Sequence, residues 1–417
     1  MIGSALSETV EAIDRLCRAE WGRLLAVLIR EFGDFDLAEE ALQGAFASAL
    51  ASWGRGVPKN LRGWLYAAAR HDAIDRLRRK ARLASKEAEL AALPAGHAPA
   101  ADELYEETAV PDERLRLIFT CCHPALAAEA QVALTLRTLC GLATEEIARA
   151  FLVPVPTMAQ RLVRAKTKIR NAGIPYVVPE EADLPERLSE VMAVLYLVFN
   201  EGHSASRGEA LVRGDLCAEA IRLARLVREL LQEPVAELEG LLALMLLHDS
   251  RRKARVDAAG GMVLLADQDR SLWDGAEIEE GRDLLRAALR RGPPGPYALE
   301  AAIAAVHADA ARATDTDWKQ IAGLYDLLVA THPSPVVALN RAAAVSMAQG
   351  PAAALPLVDA LEEQLAGYHL WHATRADLLR RLGRTNEAIA AYRRAHELAQ
   401  NETERQFLER RLRELQR

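Results

Sequence analysis

Hydrophobic positions recur every three or four residues along most of the chain, which is the spacing that predicts amphipathic helices. Two clear examples are EWGRLLAVLIREF, which starts at residue 20, and DLAEEALQGAFASALASW, which starts at residue 36. The turn GRGVPKN separates them from a third helical segment that starts at Leu61. Leu, Ala, Arg and Glu dominate, whereas aromatic residues make up only 5% of the chain. Pattern and composition together predict an all-α fold.

Breaks in this pattern divide the chain, because 417 residues are too many for one ordinary core. The segment LAALPAGHAPAADELYEETAVP is rich in Ala, Pro and acidic residues, which predicts a linker over 84–111. The segment GIPYVVPEEADLP carries three prolines and predicts a second boundary. The predicted domains are 8–83, 112–175, 186–295 and 297–417.

The last two predicted domains have patterns of their own. RVDAAGGMVLLADQDRSLWD, within 186–295, interrupts the helices with a Gly-Gly and a short apolar run, which predicts a hairpin or an ordered loop. From 297 onward, helical pairs break near Thr316, Gly350 and Gly383, and this period of about 34 residues is typical of helical repeats. The pair HATRADLLRRLGRTNEAIAAYRRAHELA resembles the tetratricopeptide repeat, which implies a TPR-like helical array.

The segment LATEEIARAFLVPVPTMAQRLVRAKTKIR, from residue 142 to 170, predicts two helices joined by a turn. Thr144 is expected to cap the first helix and Thr157 the second. Prolines 154 and 156 are expected to form the turn, because each removes a backbone donor. Met158, Leu162, Ala165 and Ile169 form one apolar stripe on the second helix.

A polar and basic face lies beside that stripe. A helix in the major groove of DNA needs such a face, with basic side chains for phosphates and polar ones for base edges. A solvated amphipathic helix is the alternative interpretation. The residues predicted to bind DNA are Thr157, Gln160, Arg161, Arg164 and Lys168, with Lys166 and Arg170 flanking them.

This segment resembles region 4 of the extracytoplasmic-function (ECF) sigma factors, which belong to the sigma-70 superfamily. The matching residues are Glu146-Ile147-Ala148, Pro154-Val155, Thr157, Arg161-Leu162 and Arg164-Ala165. The chain departs from the family pattern at Leu152 and Pro156, and at Ala159-Gln160. The resemblance implies a helix-turn-helix that binds the −35 promoter element with an altered recognition face.

The basic helix LRGWLYAAARHDAIDRLRRK resembles the end of sigma region 2. Trp64-Leu65, Ala69-Arg70, Asp75 and Arg78-Arg79 match, and His71 replaces the usual Asn. The resemblance implies contact with the −10 element, including capture of an unstacked base. The residues implied in this contact are Arg70, His71, Arg78, Arg79 and Lys80. A plain surface helix, with Trp64 in the core, is the alternative.

Upstream, DLAEEALQGAF resembles the part of sigma region 2 that binds core RNA polymerase. Gly44 stands where the family usually has Glu. The resemblance implies that an acidic face binds the clamp helices of the β′ subunit. That face consists of Asp36, Glu39, Glu40 and Gln43, while Leu37, Leu42 and Phe46 are expected to pack inward.

Taken together, the motifs predict a sigma factor that binds core RNA polymerase, through its β′ clamp helices and β subunit, and also binds promoter DNA. The part of the chain after residue 175 resembles the group of sigma factors with a tetratricopeptide-like C-terminal extension, which implies a regulatory role and a protein partner on the repeats. No catalytic residues and no cofactor are expected. Residues 1–175 carry a net charge of +1 and the remainder −8, so an acidic protein presents two local basic helices.

Cysteine content and hydropathy predict a reduced, cytoplasmic protein without a membrane span or secretion signal. Cys121, Cys122, His123 and Cys140 could hold zinc, but their spacing disfavours it. Glu201, His203, His248 and Asp249 could form a hydrolytic site, although buried polar residues that fix a loop are the favoured interpretation.

Three rival functions remain open from the sequence. A helix-turn-helix regulator with a repeat-based sensor explains 142–170 but neither region 2 motif. A metal-dependent enzyme centred on 200–250 and a pure interaction scaffold are the others.

Overall fold

The computed structural model describes residues 20–52, 58, 60–83, 113–151, 153–205, 211–258 and 260–416. Over these ranges the chain is helical and contains no strand; extended pairing is limited to isolated bridge residues, such as the antiparallel pair Val256 and Met262. The predicted all-α fold is therefore confirmed. The acidic linker and the first part of the predicted domain 8–83 lie outside the described residues.

The helices of the first half are α1 (20–32), α2 (Phe35–Ser52), α3 (Leu61–Leu83), α4 (Arg114–Cys121), α5 (Ala128–Thr138), α6 (Thr144–Ala150), α7 (Val155–Asn171) and α8 (Leu184–His203). Those of the second half are α9 (Gly214–Leu230), α10 (Ala236–Asp249), α11 (Gly275–Arg290), α12 (Pro296–Asp309), α13 (Trp318–Thr331), α14 (Pro335–Gln349), α15 (Pro351–Asp359), α16 (Glu362–Leu365), α17 (His369–Arg381), α18 (Thr385–Leu398) and α19 (Glu402–Leu415).

The chain forms two compact units. The first comprises described residues within Met1–Arg149 and Val153–Val194, and the second those within Leu195–Arg417, with Ala150–Leu152 grouped with the second. The division falls inside α8, beyond the boundary predicted at GIPYVVPEEADLP. Residues after this segment stay with the first unit because the guanidinium of Arg187 donates to the carbonyl of Phe119 at 2.5 Å and lies over its ring.

In the first unit, α1, α2 and α3 pack around a small apolar core. The Asp34 side chain begins α2 by accepting from the backbone amides of Asp36 and Leu37. Leu42 and Phe46 are buried, as the pattern predicted, whereas Leu37 stays partly exposed. Trp64 is also only partly buried, so it is not wholly a core residue.

Gly44 allows α2 and α3 to approach closely. A Cβ at Gly44 would lie 2.9 Å from the Asp72 carboxylate, which itself binds Arg76 at 2.7 Å. The contact is with the end of a flexible side chain, so it disfavours a larger residue at this position without requiring glycine.

The helix-turn-helix has its predicted apolar stripe but different helix starts. Met158, Leu162, Ala165 and Ile169 are all buried. The cap predictions were wrong: α6 already includes Thr144, and α7 begins at Val155, so Thr157 lies inside its first turn. Pro156 lies there too, and is tolerated because the first amides of a helix have no intrahelical partner.

The second unit is built around α10. Nearly every residue of this helix is buried, because α11 and α12 cover it on different sides. Gly240 permits one of these contacts, since a Cβ there would lie 2.8 Å from the backbone nitrogen of Ala298 in α12. A helix covered all round must be apolar all round, which explains its run of leucines.

Between α10 and α11 the chain forms the predicted short hairpin. The amide of Asp257 donates to the carbonyl of Gly261 at 2.9 Å, and Gly260 has a φ of 81°. A single helical turn precedes the hairpin at Arg252–Ala254, and two more follow it at Leu265–Asp267 and Arg270–Leu272.

From α13 onward, helices pack on their sequence neighbours. Gly350 and Gly383, at φ 98° and 75°, lie at the turns between α14 and α15 and between α17 and α18. The buried Trp371 donates its indole N–H to the carbonyl of Val358, which joins α17 to α15. These helical pairs agree with the predicted period, and their kinship to the tetratricopeptide repeat stays a prediction.

Candidate nucleic-acid and polymerase interfaces

The polar face of α7 is open to solvent. Of the five residues predicted to bind DNA there, Arg161 is partly exposed and the others are exposed: Thr157, Gln160, Arg164 and Lys168. Within the described part of the chain, none of the three basic side chains forms an ion pair. Their charge is therefore available for an anionic partner such as a DNA backbone.

Lys166, on the neighbouring face of α7, behaves differently. Its ammonium lies 2.9 Å from a carboxylate oxygen of Asp36 and 3.0 Å from one of Glu39, and its side chain is only 10% exposed. Arg137 of α5 approaches the same Glu39 oxygen at 3.5 Å and lies over the ring of Trp21. Two basic residues of the region 4 segment therefore hold two residues predicted to bind polymerase.

A second set of contacts joins the same halves of the first unit. The buried Glu113 carboxylate pairs with Arg30 of α1 at 2.5 Å and with Arg116 of α4 at 2.8 Å. The Tyr176 hydroxyl donates to the backbone carbonyl of Ala26 at 2.9 Å, and burial raises its pKa. The region 2 and region 4 segments are thus docked by ion pairs and by backbone contacts.

The residues of the acidic face of α2 differ in their exposure to solvent. Asp36, Glu40 and Gln43 are exposed, but Glu39 is 7% exposed, and its other carboxylate oxygen is buried without a partner among the described residues. Arg76 of α3 lies 2.5 Å from Glu40. In this arrangement only part of the predicted polymerase-binding face is accessible.

Helix α3 carries the residues predicted to bind the −10 element along its C-terminal half. Arg70 pairs with Glu31 at 2.8 Å, and Asp75 lies 3.3 Å from His71 and 3.7 Å from Arg78. Lys80 is exposed near the end of the helix. Arg79 is also exposed and donates to the Asp75 carbonyl. These pairs lie at the surface, where an ion pair contributes about 0–1 kcal/mol, so a phosphate can replace the carboxylate partner.

The cysteines considered for zinc have ordinary side-chain partners. Cys121 lies 3.2 Å from the Thr138 hydroxyl and Cys122 lies 3.6 Å from that of Thr135. Burial raises the pKa of Cys122 to about 12, so its thiol stays protonated. The part of the chain that the structure describes contains no cluster of metal-ligating side chains.

Family comparisons agree with the order of these segments. Residues 16–83 match sigma-70 region 2, residues 116–169 match sigma-70 region 4, and residues 187–289 match a family of unknown function, DUF6596. An uncharacterized protein of Rhizobium meliloti (strain 1021) is 47% identical over 388 residues, which cover 92% of this chain and 91% of the relative. No solved structure matches.

The two sigma regions, in this order on helices α1–α3 and α4–α7, define the class of protein. The two domains support a sigma-70 family sigma factor. Members of this family are transcription initiation factors rather than enzymes, and their partners are core RNA polymerase and promoter DNA. Among the described residues, no helix is long and apolar enough to cross a membrane.

Sequence reasoning missed the residues that dock the two sigma regions. Lys166 was placed only at the flank of the DNA-binding face, and Arg137 was not considered. Lys166 is separated from Glu39 by 127 positions, so no local pattern could reveal that pair.

Proposed function

We propose that this sigma factor is of the extracytoplasmic-function type, with α7 as the −35 reader, α3 as the −10 reader and α2 as the surface for the β′ clamp helices. One observation supports this assignment most: α7 buries a complete apolar stripe and leaves Arg161, Arg164 and Lys168 without ion pairs among the described residues. A merely solvated helix in this chain usually pairs its arginines with carboxylates three residues away, as α18 does with Arg394 and Glu397.

In the first unit, α5 and α7 are docked on α2, and we call this arrangement the closed first unit. In this proposal it is the resting arrangement of the sigma regions. Glu39 cannot bind polymerase while Lys166 and Arg137 hold it, so α7 and α5 must leave α2 when polymerase binds. Asp36 and Glu39 can exchange these partners because the polymerase would offer basic side chains for the same two carboxylates. The cost of leaving a buried charge unpaired is thereby avoided.

We further propose that the C-terminal helices bind a protein partner and regulate the sigma regions. A groove of about 650 Å³ supports this, with exposed apolar side chains Met347 and Leu370 on its lining. Grooves in stacked helical hairpins commonly receive peptides.

The deciding experiment is run-off transcription with purified core polymerase, on a template that carries the promoter region upstream of the protein's own gene. We expect specific initiation that depends on the protein. Asp36→Ala with Glu40→Ala should reduce polymerase binding and leave DNA binding intact. Binding of DNA without any binding of polymerase would instead support the helix-turn-helix regulator.

A further inference from the structure

Six basic side chains gather in the second unit, apart from both sigma regions. We call them the arginine–histidine cluster: Arg251, Arg255, Arg270, His203, His248 and His307. They come from the end of α8, the end of α10, the loop between α10 and α11, and α12. The sequence alone indicated His203 and His248 only as part of a conceivable hydrolytic site.

Short contacts hold the cluster together. The rings of His203 and His248 lie 5.0 Å apart, and a guanidinium nitrogen of Arg251 lies 2.6 Å from Nδ1 of His248. The guanidinium carbons of Arg251 and Arg270 lie 5.8 and 4.6 Å from the ring centroid of Trp273. Trp273 therefore makes cation–π interactions with two guanidinium groups.

The cluster lacks carboxylate partners among the described residues. Arg255 donates to the backbone carbonyl of His203, and Arg270 donates to the carbonyls of His307 and Ala310. Of the described residues, Arg251 has only His248 and the face of Trp273 as side-chain partners. All six side chains are half-buried. Cations that are partly withdrawn from water usually have an anionic partner, so this group is exceptional.

The carboxylates that act on the cluster are already engaged, including Asp315, which acts on Arg270 but pairs with Arg312. Asp249 pairs with Arg252, and Glu404 lies 3.2 Å from His369. Both are near enough to raise the pKa of Arg255, but burial has the larger effect and lowers it to about 10. Burial likewise lowers the pKa of Arg251 to about 10, so both guanidiniums remain charged at neutral pH.

Several buried donors also point to a missing acceptor. Within the described residues, no hydrogen-bond partner is present for the indole nitrogen of Trp273, for Nε of Arg270 or for Nδ1 of His307. A buried donor without an acceptor destabilises the folded state. With His307 protonated at Nδ1, these three atoms lie beside guanidiniums that have no carboxylate partner among the described residues, and an anion with several oxygens would satisfy the whole set.

We propose that the arginine–histidine cluster is a binding site for an oxyanion, namely the phosphate or carboxylate group of a small molecule. An oxyanion would neutralise the guanidiniums and accept from the free N–H groups, since guanidinium and oxyanion match in geometry. The three histidines are neutral at physiological pH because burial lowers the pKa of each, so they would act as hydrogen-bond donors rather than as charges. The proposal stands independently of the sigma activity.

Thermal unfolding and calorimetric titration of the full-length protein test the proposal. The probes are inorganic phosphate and acetate, each compared with sodium chloride at equal ionic strength. We expect at least one probe to raise the melting temperature by several degrees beyond chloride, because an anion that binds only the folded state stabilises it. A response to phosphate identifies a phosphate ligand, and a response to acetate alone identifies a carboxylate.

Two variants connect that response to the cluster. Arg251→Met should abolish the anion-dependent shift, while its melting temperature without anion should be no lower than that of the wild type, because an uncompensated charge has been removed. Trp273→Phe keeps an aromatic ring but lacks the N–H, so its anion affinity should fall severalfold. Arg290→Met, at an exposed position of α11, is the matched control and should respond like the wild type.

The proposal is overturned if neither anion exceeds chloride, or if Arg251→Met responds as the wild type does. Should Arg251→Met fail to fold, Trp273→Phe decides: an unchanged anion affinity overturns the proposal and a severalfold loss supports it.

Discussion

Arg161 and Arg164 have room to bind DNA because neither is engaged by a carboxylate of the described residues. Each lies one or two positions from a buried residue of the α7 stripe, which fixes the direction of the side chain. The proposed DNA binding therefore depends, at the scale of residues, on one face of α7.

We expect Arg161→Ala and Arg164→Ala each to weaken promoter binding. The loss should be about 1–3 kcal/mol where the side chain contacts a base, and a lost phosphate contact should reduce the salt dependence by about one ion. Fluorescence anisotropy with promoter DNA at several salt concentrations measures both quantities.

Binding of core polymerase should be unchanged in these variants, and Arg393→Ala, at an exposed position of α18, is the control for a general loss of positive charge. Equal loss of DNA and polymerase binding would contradict the separation of roles between α7 and α2.

At the scale of elements, the docking of α7 on α2 couples the two proposed interfaces. Lys166 and Lys168 are two positions apart on the same helix, yet one is held by Asp36 and Glu39 while the other is exposed without an ion pair among the described residues. The pair therefore offers a matched comparison.

Lys166→Glu should loosen the closed first unit, because it places three carboxylates together. We expect polymerase to bind faster and more tightly, and small-angle scattering should show a more extended molecule. Lys168→Glu should instead weaken DNA binding and leave the polymerase binding rate unchanged. If Lys166→Glu left polymerase binding unchanged, the proposed resting arrangement would be wrong.

Two glycines test how closely these helices must approach. A Cβ at Gly22 of α1 would lie 2.8 Å from the backbone carbonyl oxygen of Leu139, whereas one at Gly44 would meet only the carboxylate end of Asp72. The backbone of Leu139 cannot move away from an added Cβ, whereas the side chain of Asp72 can rotate away.

Gly22→Ala should therefore lower the stability of the first unit by about 1–3 kcal/mol, the usual cost of overpacking. Gly44→Ala should cost less, because alanine is the better helix former by about 1 kcal/mol and offsets the contact. Urea unfolding followed by circular dichroism measures both. A larger loss for Gly44→Ala would contradict this packing.

For the whole molecule, the histidines of the second unit predict an acid-sensitive stability. Burial lowers the pKa of His307 to about 4 and lowers those of His203 and His248 well below the ordinary value near 6.5. A histidine whose pKa is depressed in the folded state leaves stability intact at pH values above its unfolded-state pKa, where it is neutral in both states. This stability is lost as the pH falls from about 6.5 toward the folded-state pKa.

We expect the free energy of unfolding to fall as the pH is lowered from about 6.5 to 4. A single histidine whose pKa is depressed lowers it by about 1.4 kcal/mol per pH unit within this range. His307→Asn should reduce this slope, and unfolding in phosphate-free buffers at several pH values measures it. A slope that is unchanged in His307→Asn would show that this histidine is not the cause.

The sequence by itself determined every feature that depends on local periodicity. The helical fold, the stripe at Met158, Leu162, Ala165 and Ile169, and the hairpin near Gly260 follow from side-chain spacing and turn residues, which act over a few positions. The motifs that identify the two sigma regions are equally local. The predicted cap positions were wrong, because Pro156 fits the first turn of a helix as well as the turn before it.

Only the tertiary structure decided which distant charges meet. Glu39 is buried because Lys166 and Arg137 reach it from α7 and α5. Arg251 is near enough to His203 and His307 to lower the pKa of each, although whole helices separate them in the sequence. Pairing and burial depend on how helices pack, and many packings share the same helical pattern. The DNA-facing residues were therefore predictable from one helix, whereas the closed first unit and the arginine–histidine cluster were not.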